Sequence, residues 1–134
     1  MRRPINFLIS VGLGLSIFIV DRFTKMWAFS NAQDFVDVNK FLSFKVNFNR
    51  GISWGFCHSD SSLVFSIVTA LVIMVTIGIL VYGVIKVLQG RLPLWAMAVV
   101  GGSFSNIVDR FLYGGVLDFI IISYKNYSWP SFNI

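Results

Sequence analysis

The sequence predicts an integral membrane protein, mainly α-helical, with three transmembrane helices and a small β-rich segment on the extracytoplasmic side. Three observations predict it. First, 56% of the 134 residues are hydrophobic and only 13% are charged, whereas a soluble domain carries about 25% charged residues. A chain of single-domain length cannot hide that much apolar surface in a water-soluble core. Second, three apolar stretches approach the roughly 20 helical residues needed to cross a hydrocarbon layer about 30 Å thick. Third, basic residues flank these stretches, as they do at cytoplasmic ends of membrane spans.

In chain order, the spans are expected at about 4–21, 63–85 and 92–108, all within one integral membrane domain, 1–134. The first follows Arg2 and Arg3 and begins like a signal peptide. It has no A-x-A cleavage site and runs on into DRFTKMWAF, so it reads as a retained helix. The second, LVFSIVTALVIMVTIGILVYGVI, is uninterrupted. The third starts after Pro93 and carries small residues four apart, Gly101 with Ser105 and Gly102 with Asn106, which permits close helix approach. Lys86 and Arg91 flank the loop between spans two and three. With Arg2 and Arg3 they place that loop and the N-terminus in the cytoplasm, leaving 22–62 and 109–134 on the other side. Within 22–62, FKVNFN alternates: Phe44, Val46 and Phe48 on one side, Lys45 and Asn47 on the other. That is a strand pattern, consistent with a small sheet at the membrane surface.

Several function classes recede at once. The net charge is +5, but the basic residues are scattered and form no stripe for nucleic acid. Cys57 is the single cysteine, so no intrachain disulfide is possible, and it reads as a small buried or membrane-edge residue. His58 is also single and reads as a loop residue; no Cys/His cluster points to a metal, and no cofactor is expected.

Four groups of polar residues stand out against the apolar background. Asp21 and Lys25 are an i,i+4 pair on a helix, either an ion pair at a helix end or a functional polar pair. Asn49, Gly51 and Gly55 lie in NFNRGISWGF just after the strand, an ordinary turn signal when taken alone. Asn106, Asp109 and Arg110 share a helix face and read as a polar network at a helix end. Asp118 is different. Gly114–Gly115 breaks the helix and separates Asp118 from Asp109, and its neighbours are Val116, Leu117, Phe119 and Ile120–Ile122. A carboxyl without a local basic partner in apolar surroundings is expected to titrate high, as a catalytic acid or base must.

Together these segments resemble the lipoprotein signal peptidases (signal peptidase II). The matching pieces are DRFTK at 21–25, NRGISWGF at 49–56, GGSFSNIVDR at 101–110, GVLDF at 115–119 and WPSFN at 129–133. Each motif is weak alone; five in the right order around the right spans are specific. Ser105 stands where the family usually has glycine, and Ser53 and Trp54 where Ala and Phe are common. The resemblance implies a membrane aspartic endopeptidase that removes the signal peptide from diacylglyceryl-modified prolipoproteins, cutting before the lipidated cysteine. Asp118 would be one of its two catalytic carboxylates. The other would follow Ile134, at the start of a fourth family helix that these 134 residues do not include, so the chain as written is expected to show little turnover. Asn49, Gly51, Asn106, Asp109, Arg110 and Asn133 would support the site, with Asp21 and Lys25 as a polar pair on the first helix. The implied partners are the lipid-modified prolipoprotein and the bilayer, with no nucleic acid, and a monomer in the bacterial cytoplasmic (inner) membrane. Two other readings of the residues stay open: a non-catalytic three-span relative that binds lipidated signal peptides, and a small transporter subunit using its acids for ion passage.

Overall fold

The computed structural model describes residues 2–52 and 57–134. Three helices and a four-stranded antiparallel sheet make up the fold. In chain order these are α1 (Arg2–Asn31), β1 (Val36–Asp37), β2 (Leu42–Asn49), α2 (Ser62–Leu88), α3 (Leu94–Tyr113), β3 (Val116–Tyr124) and β4 (Tyr127–Ser128). The strands lie side by side in the order β1-β2-β3-β4.

Among the described residues, two helices are long and apolar enough to cross a membrane: Pro4–Asn31 within α1, and Ser62–Leu88, which is α2. At 1.5 Å per residue the 27 residues of α2 span about 40 Å. The helix of α1 continues ten residues past Asp21, where the expected span ends. The charges of DRFTK mark the end of the apolar run but not the end of the helix: Lys25 pairs with Asp21 within α1, and Asp109 on α3 pairs with Arg22 and Lys25. α3 likewise continues past 108 to Tyr113, where Gly114 at φ 68 supplies the left-handed cap. Its last turns carry Asn106, Asp109 and Arg110, so α3, though 20 residues long, lacks a stretch as apolar as those of the other two helices.

α3 packs against both other helices, while α1 and α2 scarcely touch each other. The α1–α3 crossing is close because it lacks side chains. A Cβ built at Gly101 would lie 2.3 Å from the Gly14 carbonyl oxygen. Ser105, four residues on, is also buried. Gly102 differs: a Cβ there would meet nothing within 4 Å.

β2 begins two residues before the predicted alternation and pairs with β3 in the register Leu42↔Ile122 to Asn49↔Val116. The register shifts between Phe44 and Asn47. Phe44 packs inward, with Trp27 edge-on at 5.4 Å, while Phe48 is left largely exposed. Ala28, Ala32, Leu117 and Phe119 form the core between α1 and the sheet, which explains why α1 must extend beyond the bilayer-length stretch. This packing sets β3 beside the ends of α1 and α3. Ser53–Phe56, including Gly55, lie outside the described residues.

Candidate active site

Asp118 sits on β3, opposite Asn47 of β2. It is 5% exposed. Each carboxylate oxygen receives one amide donor: Asn133 Nδ2 donates to Oδ1 at 2.8 Å, and Asn49 Nδ2 donates to Oδ2 at 3.1 Å. Asn49 is itself fixed, since the Gly51 N–H donates to its Oδ1 at 2.9 Å and its Nδ2 also donates to the Ile52 carbonyl. The NRGI turn thus aims an amide at the acid. Burial pushes the Asp118 carboxyl from 3.8 up to about 6. The Asn49 bond, the Lys25 charge and the Asn133 bond oppose that rise, and the Asp109 charge adds slightly to it.

Behind Asp118 lies a buried ion cluster joining α1 to α3. The Lys25 ammonium is 2.7 Å from Asp21 Oδ2 and 2.8 Å from Asp109 Oδ2, and it donates to Asn106 Oδ1 at 2.7 Å. Asp21, Lys25 and Asp109 are fully buried. Arg22 pairs with Asp109 Oδ1 and reaches Ser105 O and Oγ at 3.5 Å. The cluster holds two positive and two negative side chains, so it is neutral as a group. A buried pair of this kind is costly to break, because the surviving charge has no water. The Leu117 N–H donates to Asp109 Oδ2 at 3.2 Å, which pins the start of β3 to α3.

Asp21 and Lys25 therefore do not cap a helix end. They lie within α1 and form an interhelical tie with Asp109. Arg22, not singled out from the sequence, completes the tie. Its signal was available, since 21, 22 and 25 fall within about 100° of one helix face. Asp109 and Arg110 turn to different neighbours. Arg110 donates to the carbonyls of Gly51 and, at 3.3 Å, Arg50; it also donates to Thr69 Oγ1 at 3.5 Å. Its guanidinium lies 5.5 Å from the Phe65 ring centroid. Arg110 thus fastens the turn after β2 to α2 and α3.

Asp118 opens into a cavity of about 460 Å³. One side is polar, with Asn49, Asn106, Arg110, Ser131 and Asn133. The α2 side is apolar, with Leu71, Val72 and Val75. Asp118 is the single acid among the described residues lining it. No three His, Cys or Asp side chains gather as a metal set among the described residues. A buried carboxyl with an elevated pKa, facing an amphiphilic cavity, is suited to exchange a proton with water or a bound polar group.

A family model described as Signal peptidase (SPase) II matches residues 13–134.

The chain belongs to the signal peptidase II family.

It is 36% identical over 126 residues to the lipoprotein signal peptidase of Wigglesworthia glossinidia brevipalpis, covering 89% of this chain and 78% of that protein. It is 33% identical over 125 residues to the lipoprotein signal peptidase of Clostridium novyi (strain NT), covering 87% and 79%. Among solved structures, one described as a bacterial membrane enzyme determined by the in meso method at 2.3 Å resolution superposes with a TM-score of 0.67 at 25% identity. That match covers 93% of this chain and 76% of the other. The mainly helical fold with its small sheet is thus shared with a membrane enzyme, and the transporter-subunit reading finds no support in these likenesses.

Proposed function

We propose that this signal peptidase II family member is a membrane aspartic endopeptidase that cleaves diacylglyceryl-modified prolipoproteins before the lipidated cysteine. The observation that carries the chemical part of this reading is Asp118: a carboxyl pushed to about 6, held by two amides, and facing a cavity polar on one side and apolar on the other. A substrate combining a peptide with acyl chains fits such a cavity better than a purely polar one would. Asp118 acts as one of two carboxylates sharing a proton, because like charges so close resist joint ionisation. The ionised member activates water, the protonated member polarises the scissile carbonyl, and the two titrate as a pair. Asp109 is not the second member. Arg22, Lys25 and the Leu117 N–H occupy its oxygens, and the resemblance assigns the second acid to a position after Ile134. Asn49, Gly51, Asn106, Arg110 and Asn133 shape the site.

In this reading α1, α2 and α3 all cross the inner membrane of a bacterium, α3 shielded by its neighbours. The Lys86–Arg91 loop is cytoplasmic, and the sheet and Asp118 face the opposite side. The protein works as a monomer. The resemblance puts the second carboxylate after Ile134, so the chemistry is tested by incubating a form of the protein that carries that acid with a diacylglyceryl-modified prolipoprotein: Asp118→Asn is expected to abolish cleavage, wild-type rates in that variant overturn the assignment, and the 134 residues alone are expected to show little turnover. A reporter active only outside the cytoplasm, fused after Asn31 or after Arg91, tests the topology. Activity at Asn31 and none at Arg91 is expected.

A further inference from the structure

Lys25 lies on α1, and Asp118 on β3 is not among its direct contacts. Two side-chain amides connect them. A lysine ammonium can only donate hydrogen bonds. The Asn106 amide must therefore turn its oxygen toward Lys25, where the distance is 2.7 Å. That same oxygen accepts from Asn133 Nδ2 at 3.2 Å. Asn133 is left presenting its nitrogen to Asp118 Oδ1, at 2.8 Å. The ammonium sets the direction of the Asn106 amide, and Asn106 together with the Leu117 carbonyl, which accepts from Asn133 Nδ2 at 3.4 Å, sets that of Asn133. The second oxygen of Asp118 meets a similar arrangement, since the Gly51 N–H fixes the direction of Asn49.

We infer that Lys25 is a positioning residue for Asp118, acting through the Asn106–Asn133 relay to keep a hydrogen-bond donor on Oδ1 and so favour its ionised form. The ammonium is fixed in place by Asp21 at 2.7 Å and Asp109 at 2.8 Å in a site without exposure. Its own charge also draws the Asp118 carboxyl down against the desolvation that raises it. The other charged or titratable groups near Asp118 are Asp109 and Arg110 on α3, and His58, which lines the smaller neighbouring cavity that Asp118 also borders. Asp109 and Arg110 direct their side-chain hydrogen bonds elsewhere than the relay amides. This inference deepens the proposed function but is readable without turnover.

The test is an infrared pH titration of the Asp118 carboxyl in the purified protein, with the band assigned by difference against Asp118→Asn. Two variants are compared with wild type. Asp21→Asn/Lys25→Met removes the ammonium and one of its counter-charges together, leaving Asp109 paired with Arg22. Asn106→Leu breaks the relay and leaves all four charges in place. Without the ammonium the Asp118 midpoint is expected to rise by about one pH unit, a tenfold gain in proton affinity. A smaller rise in the same direction is expected in Asn106→Leu. A purely structural role for Lys25 would leave the midpoint of a folded variant where it is in wild type. An unchanged midpoint in either folded variant overturns the inference. If the double variant does not fold, Asn106→Leu decides the matter alone. Because carboxyl titration needs no substrate, a protein that fails to cleave prolipoprotein can still pass or fail here.

Discussion

Replacing Asp118 by Asn should make the protein more stable, and only at neutral pH. The carboxyl is raised from 3.8 to about 6 in the folded protein. Between those values the native state binds more protons than the unfolded state, so stability falls as pH rises through this window. Below about pH 4 the penalty is absent, and above about pH 6 it is fully present. A shift of roughly 2 units at about 1.4 kcal/mol each corresponds to about 3 kcal/mol. Asp118 is 5% exposed, so solvent screening removes little of this. Asn cannot recover all of it. Two donors, Asn49 Nδ2 and Asn133 Nδ2, converge on the acid, and an amide offers them one oxygen and one competing NH2. Losing one hydrogen bond costs about 1 kcal/mol, which leaves a net gain of about 2 kcal/mol. Unfolding in detergent, followed by tryptophan fluorescence at about pH 7.5 and about pH 4, reads both arms. Asp118→Asn should be the more stable protein at the higher pH and lose its advantage at the lower. Equal stability at about pH 7.5, or a less stable variant there, would refute the idea that ionised Asp118 is a desolvated charge.

The same apparatus should give the opposite result for Asp109→Asn. It leaves Arg22 without its buried counter-charge and weakens the tie from Lys25 to α3, a loss of about 3 kcal/mol visible as a lower melting temperature at every pH above the carboxylate range. In a form of the protein that carries the second acid, its activity should fall less completely than that of Asp118→Asn in a prolipoprotein cleavage assay; equal and total loss would place Asp109 in the catalytic set. Gly101→Ala sets a methyl against the Gly14 carbonyl and should cost about 1–3 kcal/mol in detergent unfolding. Gly102→Ala, one position on, meets nothing within 4 Å and should be neutral or stabilise by up to about 1 kcal/mol in the same measurement.

What could be read from the sequence divides along a physical line. Local rules sufficed wherever the cause was local. The alternation in FKVNFN locates β2, and Phe44 and Val46 pack on the core side as it expects, but the register shift between Phe44 and Asn47 leaves Phe48 largely exposed. Gly114–Gly115 ends α3 because only glycine takes the left-handed cap without strain. The apolar neighbours of Asp118 announce its desolvation before any contact is known. The failures involve partners far away in the chain. The apolar run of α1 stops at Asp21 in the sequence, and what carries the helix on through the charged stretch is remote: Lys25 pairs with Asp21 within α1, while Asp109, more than 80 residues later, pairs with Arg22 and Lys25. The part played by Arg22 is invisible for the same reason. β1 and β4 have two residues each, too few for any periodicity to appear. The relay from Lys25 to Asp118 joins α1, α3, β3 and the segment after β4, each supplying one polar atom. No window of sequence contains it. Sequence motifs named its members separately, and the close α1–α3 crossing at Gly14 and Gly101 brings them together. That makes the glycine crossing part of the chemistry: moving α1 away from α3 would draw Lys25 from Asn106 before it disturbed Asp118 itself.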